Sequence, residues 1–146
     1  MNKETLQRYL NEQIPLSRAM GIEVLEAGLK NVTIRAPLAP NINHMKTAFG
    51  GSVSAVAMLS AWSLLYVRLI NEDIKSRIVI HKTSATFEQP IVDIFTSVTV
   101  FDDEPAWEEF VSKLKTKNKA GLDLSSTLIC GEAVAGRLEG HFVSYF

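Results

Sequence analysis

Cysteine occurs once in the 146-residue chain, at Cys130, so no internal disulfide can form. That usage suits a reducing compartment, and a cytoplasmic location is the expectation. Charge of one sign is also missing: 15 Lys and Arg stand against 16 Asp and Glu, a net charge of −1. With no basic tract, no nucleic-acid partner is expected. Histidine is sparse and scattered, at His44, His81 and His141, without an H-x-x-x-H spacing, so no metal site is expected. The N-terminal MNKETLQRYLNEQIPL lacks an apolar core segment, and no secretory leader is expected from it. What is present is ordinary for a globular chain: 47% hydrophobic and 21% charged residues. This balance excludes disorder and collagen-like repeats, and the length suits a single domain over residues 1–146.

The long hydrophobic run is the feature that stands out. No residue from Thr47 to Val67 is charged, and that length can cross a bilayer. Gly50, Gly51, Ser52, Ser54, Ser60 and Ser63 dilute its apolarity, however. A helix without a polar face belongs in a protein core, so a buried helix over 51–70 is expected, and no membrane span.

Around it the pattern alternates between periods. Leu6, Tyr9, Leu10 and Ile14 share one face of an N-terminal helix that Pro15 interrupts. Met20 to Leu25 lead into a strand, Gly28 marks a turn, and NVTIRAP alternates Val32, Ile34 and Ala36 against Thr33 and Arg35. Pro37 and Pro40 open a loop over 41–49. After the apolar helix, SRIVIHKTSATF and IFTSVTVF read as strands. PAWEEFVSKLKTKN reads as an amphipathic helix with Trp107, Phe110, Val111 and Leu114 on its stripe. Its acids come early and its lysines late, which suits the helix dipole. LDLSSTLIC and AVAGRLEGHFVSYF pair around Gly131-Glu132 as a hairpin. Short turns predict a mostly antiparallel meander. The fold class is α+β, with an antiparallel sheet wrapped around one long apolar helix. Such a sheet leaves surface to cover, including apolar residues of IFTSVTVF, so at least a dimer is expected.

That element order, together with NINHMKTAFGGSVSAVAML, resembles the hotdog-fold acyl-CoA thioesterases over nearly the whole chain. The specific part is Asn43, six residues, then Gly50-Gly51 opening the apolar helix, with FEQPI at 87–91 ending the following strand. The AFGGS form and the helix before the last hairpin are most similar to the thioesterase branch typified by the YiiD C-terminal domain. The resemblance implies a hydrolase of acyl-CoA or acyl-carrier-protein thioesters. It also implies a homo-oligomer, dimer or tetramer, with sites between subunits and no cofactor beyond the coenzyme A of the substrate.

The residues permit that chemistry. Free N–H groups at a helix N-terminus can hold a developing oxyanion, and glycines let a thioester approach the backbone. Gly50 and Gly51 fit this, although the pair equally suits tight helix packing. Asn43 can orient water or hold the carbonyl, or bond its own loop as asparagines do in turns. On the resemblance, Asn43, Gly51 and Gly50 are the candidate catalytic residues. Asn41, His44, Phe49, Ser54 and Met58 are candidate substrate contacts. Ser52 is a candidate helix cap, Ser54 and Ser63 read mostly as packing residues, and Cys130 as an inert thiol. Lys46, Arg77, His81 and Lys82 can face coenzyme A phosphates or simply water.

Two departures bear on activity. Many relatives carry His before the glycines and a carboxylate on the helix, whereas this chain has Phe49 and Met58 there. A non-catalytic acyl-thioester binder is therefore the alternative reading. A hotdog dehydratase is a third, disfavoured because its acid–base pair needs the absent helix carboxylate.

Overall fold

The computed structural model describes residues 1–146. Helix α1 spans Lys3–Gln13, and the Asn2 side chain caps it by accepting from the Thr5 N–H at 2.9 Å. Pro15 does more than interrupt. It starts a second short helix, α2, Pro15–Ala19, in a stretch between the first helix and the Met20 lead-in for which no element was expected. Proline suits a first helical position because its missing N–H has no partner there anyway. Strands β1 (Glu23–Ala27) and β2 (Asn31–Ala36) follow, then the long helix α3, Gly50–Asn71. Strands β3 (Arg77–Phe87) and β4 (Phe95–Val100), helix α4 (Glu104–Lys117), and strands β5 (Lys119–Cys130) and β6 (Ala133–Tyr145) complete the chain.

All six strands form one sheet in the order β1-β2-β4-β5-β6-β3, and every neighbouring pair is antiparallel. The expected hairpin is there, with Gly131 at φ 62° in the β5–β6 turn. The expected meander is not continuous. Helix α3 carries the chain across the sheet, so β3 lands on the far edge beside β6 and is separated from β4 by two strands. For the same reason IFTSVTVF is not an edge. Strand β4 lies inside the sheet, with Phe95, Ser97 and Thr99 turned into the core. The apolar edge belongs instead to β3, where Val79, Ile80 and Phe87 are exposed.

Helix α3 is long and apolar enough to cross a membrane by length and composition, yet 67% of its most apolar stretch is buried inside the protein. The sheet supplies that cover. Val32, Ile34 and Ala36 of β2 pack with Val56, Ala57 and Leu64 of α3, as the alternation in NVTIRAP predicts. Toward its C-terminal end Leu65 and Leu69 join Trp107, Phe110 and Leu114 of α4. An antiparallel sheet curled around one central helix is the hotdog arrangement. Two polar features pin the helix to the sheet. Ser60 Oγ lies 2.6 Å from Ser97 Oγ and 2.8 Å from Thr99 Oγ1, in a buried hydroxyl cluster that includes Ser126. Arg68 is 4% exposed, lies over the rings of Phe101 and Trp107, and pairs with Glu104 at 2.7 Å.

Candidate functional site

The loop before α3 is a small closed unit. The Asn43 N–H donates to Thr47 O at 2.8 Å, and Ile42 and Ala48 bridge across the loop. The Asn43 side chain is used within it. Its Oδ1 accepts from the Met45 and Thr47 N–H groups at 2.8 and 3.1 Å, and its Nδ2 donates to Thr47 Oγ1 at 2.9 Å. This is the loop-bonding reading of Asn43. Asn41 is 2% exposed and donates to the carbonyls of Met20 and Pro37 at 2.9 and 2.8 Å. Its backbone carbonyl also accepts the Phe49 N–H at 2.7 Å, which fixes the entry into the helix. That burial corrects the expectation that Asn41 meets substrate: it ties three segments together. His44 sits exposed on the turn and lines neither recess beside the helix.

Phe49 is the N-cap of α3, and no side chain caps the helix, so Ser52 does not take the expected capping role. The first backbone bond of the helix is Val53 N–H to Phe49 O at 3.0 Å. The N–H groups of Gly50, Gly51 and Ser52 therefore have no acceptor in the chain, as at any uncapped helix start. They form a positively polarised end reinforced by the helix dipole. The Phe49 ring lies over Gly51, so closely that a Cβ at position 51 would sit 3.0 Å from Phe49 Cζ. A Cβ at Gly50 meets only Phe87 Cζ at 3.8 Å, an ordinary contact.

From Gly51 an apolar cleft of about 300 Å³ runs along α3. Its helix wall is Gly51, Ser54, Ala55, Met58, Leu59 and Trp62. Those positions recur at helical spacing, so they present one continuous face. Ile80 of β3 and Phe142 of β6 form the opposite wall, and Ile14, Leu16 and Met20 around α2 close the side. On the other flank of the helix start a second recess is lined by Gly50, Phe87, Glu88 and Gln89, the last three overlapping the FEQPI segment. No carboxylate lines the apolar cleft, and no group of three or more metal-ligating side chains is present.

Of the expected site residues, Gly51, Ser54 and Met58 come together in the cleft, Gly50 faces the second recess, and Phe49 roofs Gly51. The sequence reading missed Ile80, Phe142 and the α2 residues. Only the strand order and the second helix bring these to the cleft, and neither was legible. At the far end Trp62, Tyr66 and Tyr9 stack, with ring centroids 4.5–6.3 Å apart. Burial, and secondarily the neighbouring Tyr9 hydroxyl, pushes the Tyr66 hydroxyl up to about 12. Arg77 stacks on Tyr145, and Lys82 and His81 are exposed on β3.

Comparison with known proteins agrees with this geometry. The family described as Putative thioesterase (yiiD_Cterm) matches residues 3–146, and the chain belongs to that family. A solved structure of a protein of unknown function from Chlorobaculum tepidum TLS superposes with a TM-score of 0.92 at 22% identity, covering 98% of this chain and 93% of that one. A putative thioesterase from Shewanella oneidensis superposes at 0.88 with 24% identity, covering 99% and 97%. A probable thioesterase from Pseudomonas aeruginosa does so at 0.86 with 16% identity, covering 99% and 96%. At these identities the likeness concerns the fold.

Proposed function

We propose that this member of the thioesterase family hydrolyses acyl thioesters of coenzyme A or acyl carrier protein. The observation that carries the reading is the unpaired N–H set at the start of α3, of which Gly51 lines the apolar cleft. The acyl chain lies along Gly51, Ser54 and Met58, and its carbonyl meets the helix N-terminus. Water attacks the carbonyl carbon, the oxygen gains negative charge, and the backbone N–H groups and dipole stabilise it. The C–S bond then breaks, the proton shed by the attacking water passes to the departing thiolate, and a fatty acid and a thiol are released. No cofactor or metal takes part. Asn43 acts as a positioning residue, because its side chain holds the loop that delivers Phe49 and Gly50.

The protein works as a homo-oligomer, a dimer at least, in the cytoplasm. Strand β3 supports this: an 11-residue edge strand with exposed Val79, Ile80 and Phe87 offers unpaired backbone groups to a second copy. The cleft wall at Ile80 then borders the partner. Lys46, Arg77 and Lys82 remain available for phosphates.

The binder reading keeps a specific support, because Met58 stands on the cleft face where many relatives place a carboxylate. A panel of acyl-CoA substrates, followed by thiol release and by binding under the same conditions, separates the two. Thiol release above the spontaneous rate with the parent protein, reduced in Gly51→Val, is the expected result. Binding without turnover at any chain length establishes the alternative.

A further inference from the structure

The apolar cleft has a defined end. Trp62 is the last residue of its helix wall, about three turns beyond Gly51, and its Nε1–H points to the Ile78 carbonyl of β3 at 3.4 Å. The indole thus bridges the gap between α3 and the edge strand. Its ring is 5.2 Å from Tyr66 and 6.3 Å from Tyr9, with interplanar angles of 13° in both cases. Three elements therefore hold one side chain in place: α1 through Tyr9, α3 through Tyr66, and β3 through Ile78. On the far side lies a separate recess of about 500 Å³, lined by Tyr66, Leu69, Ile74 and Ile78 among others. Tyr66 and Ile78, which hold the indole, line that recess, whereas Trp62 lines the cleft.

We propose that Trp62, clamped by Tyr9, Tyr66 and the Ile78 carbonyl, is the end wall of the acyl cleft and restricts the protein to medium-chain acyl groups. This rests on the acyl-thioester reading of the same cleft. The length follows from the helix. The stretch from Gly51 to Trp62 advances about 16 Å at ~1.5 Å per residue. Helical side chains lean back toward the N-terminus, so the usable length is nearer 11–15 Å, as an order of magnitude. A tetrahedral carbon chain with bonds of about 1.5 Å advances roughly 1.25 Å per carbon, which fits roughly eight to twelve carbons.

The test measures binding and turnover separately. Saturated fatty acids of about six to eighteen carbons are titrated by calorimetry, and the matching acyl-CoA thioesters are assayed for thiol release. In the parent protein each added methylene should tighten Kd by roughly fourfold until the chain reaches the wall, after which the gain stops. Trp62→Ala removes the wall, so the gain should continue to chains at least about four carbons longer. Met58→Trp moves an aromatic wall one turn toward Gly51, about 6 Å, and should shorten the limit by about five carbons. Circular dichroism and sedimentation confirm that the variants fold, and Met58→Trp alone decides the matter if Trp62→Ala does not. An unchanged binding limit in a folded variant overturns the proposal, as does a parent protein that binds no chain of any length. Shifted binding limits without thiol release uphold the wall and refute hydrolysis, so the two failures are distinguishable.

Discussion

Gly51 has two competing reasons to be glycine, and a double substitution separates them. The first is packing: a Cβ there would sit 3.0–3.1 Å from Cζ and Cδ2 of Phe49 and closer still to Cε2. The second is chemistry, because a thioester can reach the position-51 N–H only if nothing projects beside it. The Phe49 ring is 57% exposed, so it can swing away from an added methyl. The ring's displacement costs on the order of 0.5–1.5 kcal/mol if it leaves its rotamer. Replacing glycine by alanine in a helix returns up to about 1 kcal/mol. Gly51→Ala should therefore change the unfolding free energy by less than about 1 kcal/mol either way.

Turnover should respond very differently. Obstructing an oxyanion donor corresponds to the loss of about 2.7–4 kcal/mol of transition-state stabilisation, or 10²–10³ in kcat. The decisive measurement is Gly51→Ala in a Phe49→Ala background, which leaves the new methyl nothing to strike. If substrate approach is what requires glycine, the double variant should still lose at least about tenfold relative to Phe49→Ala alone. Gly50→Ala is the stability control, since its Cβ makes only an ordinary contact with Phe87 and should change the unfolding free energy by less than about 1 kcal/mol. Acyl-CoA hydrolysis and urea unfolding are followed on the same preparations. Full activity of the double variant would refute the chemical role and leave Gly51 as a packing residue for Phe49.

Asn43→Asp retains the acceptor that receives the Met45 and Thr47 N–H groups, and Thr47 can donate its hydroxyl in return. It should keep most of the activity, whereas Asn43→Ala should lose both loop stability and kcat; a dead Asp variant with native stability would show that the amide itself meets substrate. Ser60→Ala leaves the buried Ser97 hydroxyl without its side-chain partner and should cost about 1–3 kcal/mol in urea unfolding. Ser60→Ala with Ser97→Ala should recover part of that, and strict additivity would count against the pairing. Tyr66 holds its proton more tightly in the folded chain, its hydroxyl being raised from 10.0 to about 12 by burial. The folded state therefore binds more protons than the unfolded one between those values, so its contribution is full below pH 10 and lost as pH rises toward 12. Tyr66→Phe should flatten that alkaline loss in thermal melts.

The sequence exposed those parts of the fold that repeat with a period. Val32, Ile34 and Ala36 alternate because one face of β2 meets α3, and all are buried. The α4 stripe holds for Trp107, Phe110 and Leu114, with Val111 at its margin. Asp103 caps α4 by accepting from Ala106 N–H at 3.0 Å, close to the expected helix start. What remained hidden depends on connection and not on period. Nothing in SRIVIHKTSATF marks it as an edge, because its β-branched run suits either an inner or an outer strand. Helix α2 was hidden because Pro15 ends one helix and begins another with the same residue. At the site the glycines were legible through their pairing before an apolar run. The occupation of the Asn43 amide by its own loop was legible as one of two readings, since asparagines bond their own turns, while its particular partners Met45 and Thr47 were not.

The crossover that defeated the meander is also what makes the cleft. Had β3 paired with β4, both sides of the strand would have been taken up within the sheet. Placed outside β6, it approaches α3 only through its apolar side chains, and Trp62 alone reaches across to its backbone. The space left between helix and edge runs along α3 from Gly51 to Trp62, so one end of it lies at the unpaired N–H groups of the helix start. An apolar chain entering there has one direction in which to lie, with its polar head at the positive end of the dipole. The same edge carries the exposed Ile80 and Phe87, so a second copy pairing with β3 would also cover the cleft's open side. Excluding water from that side strengthens every interaction between the backbone N–H groups and a developing oxyanion. Charge placed on the edge should therefore impair assembly and catalysis together: Ile80→Lys is expected to yield monomer in sedimentation and to reduce kcat, and an active monomer would show that the site is complete within one chain.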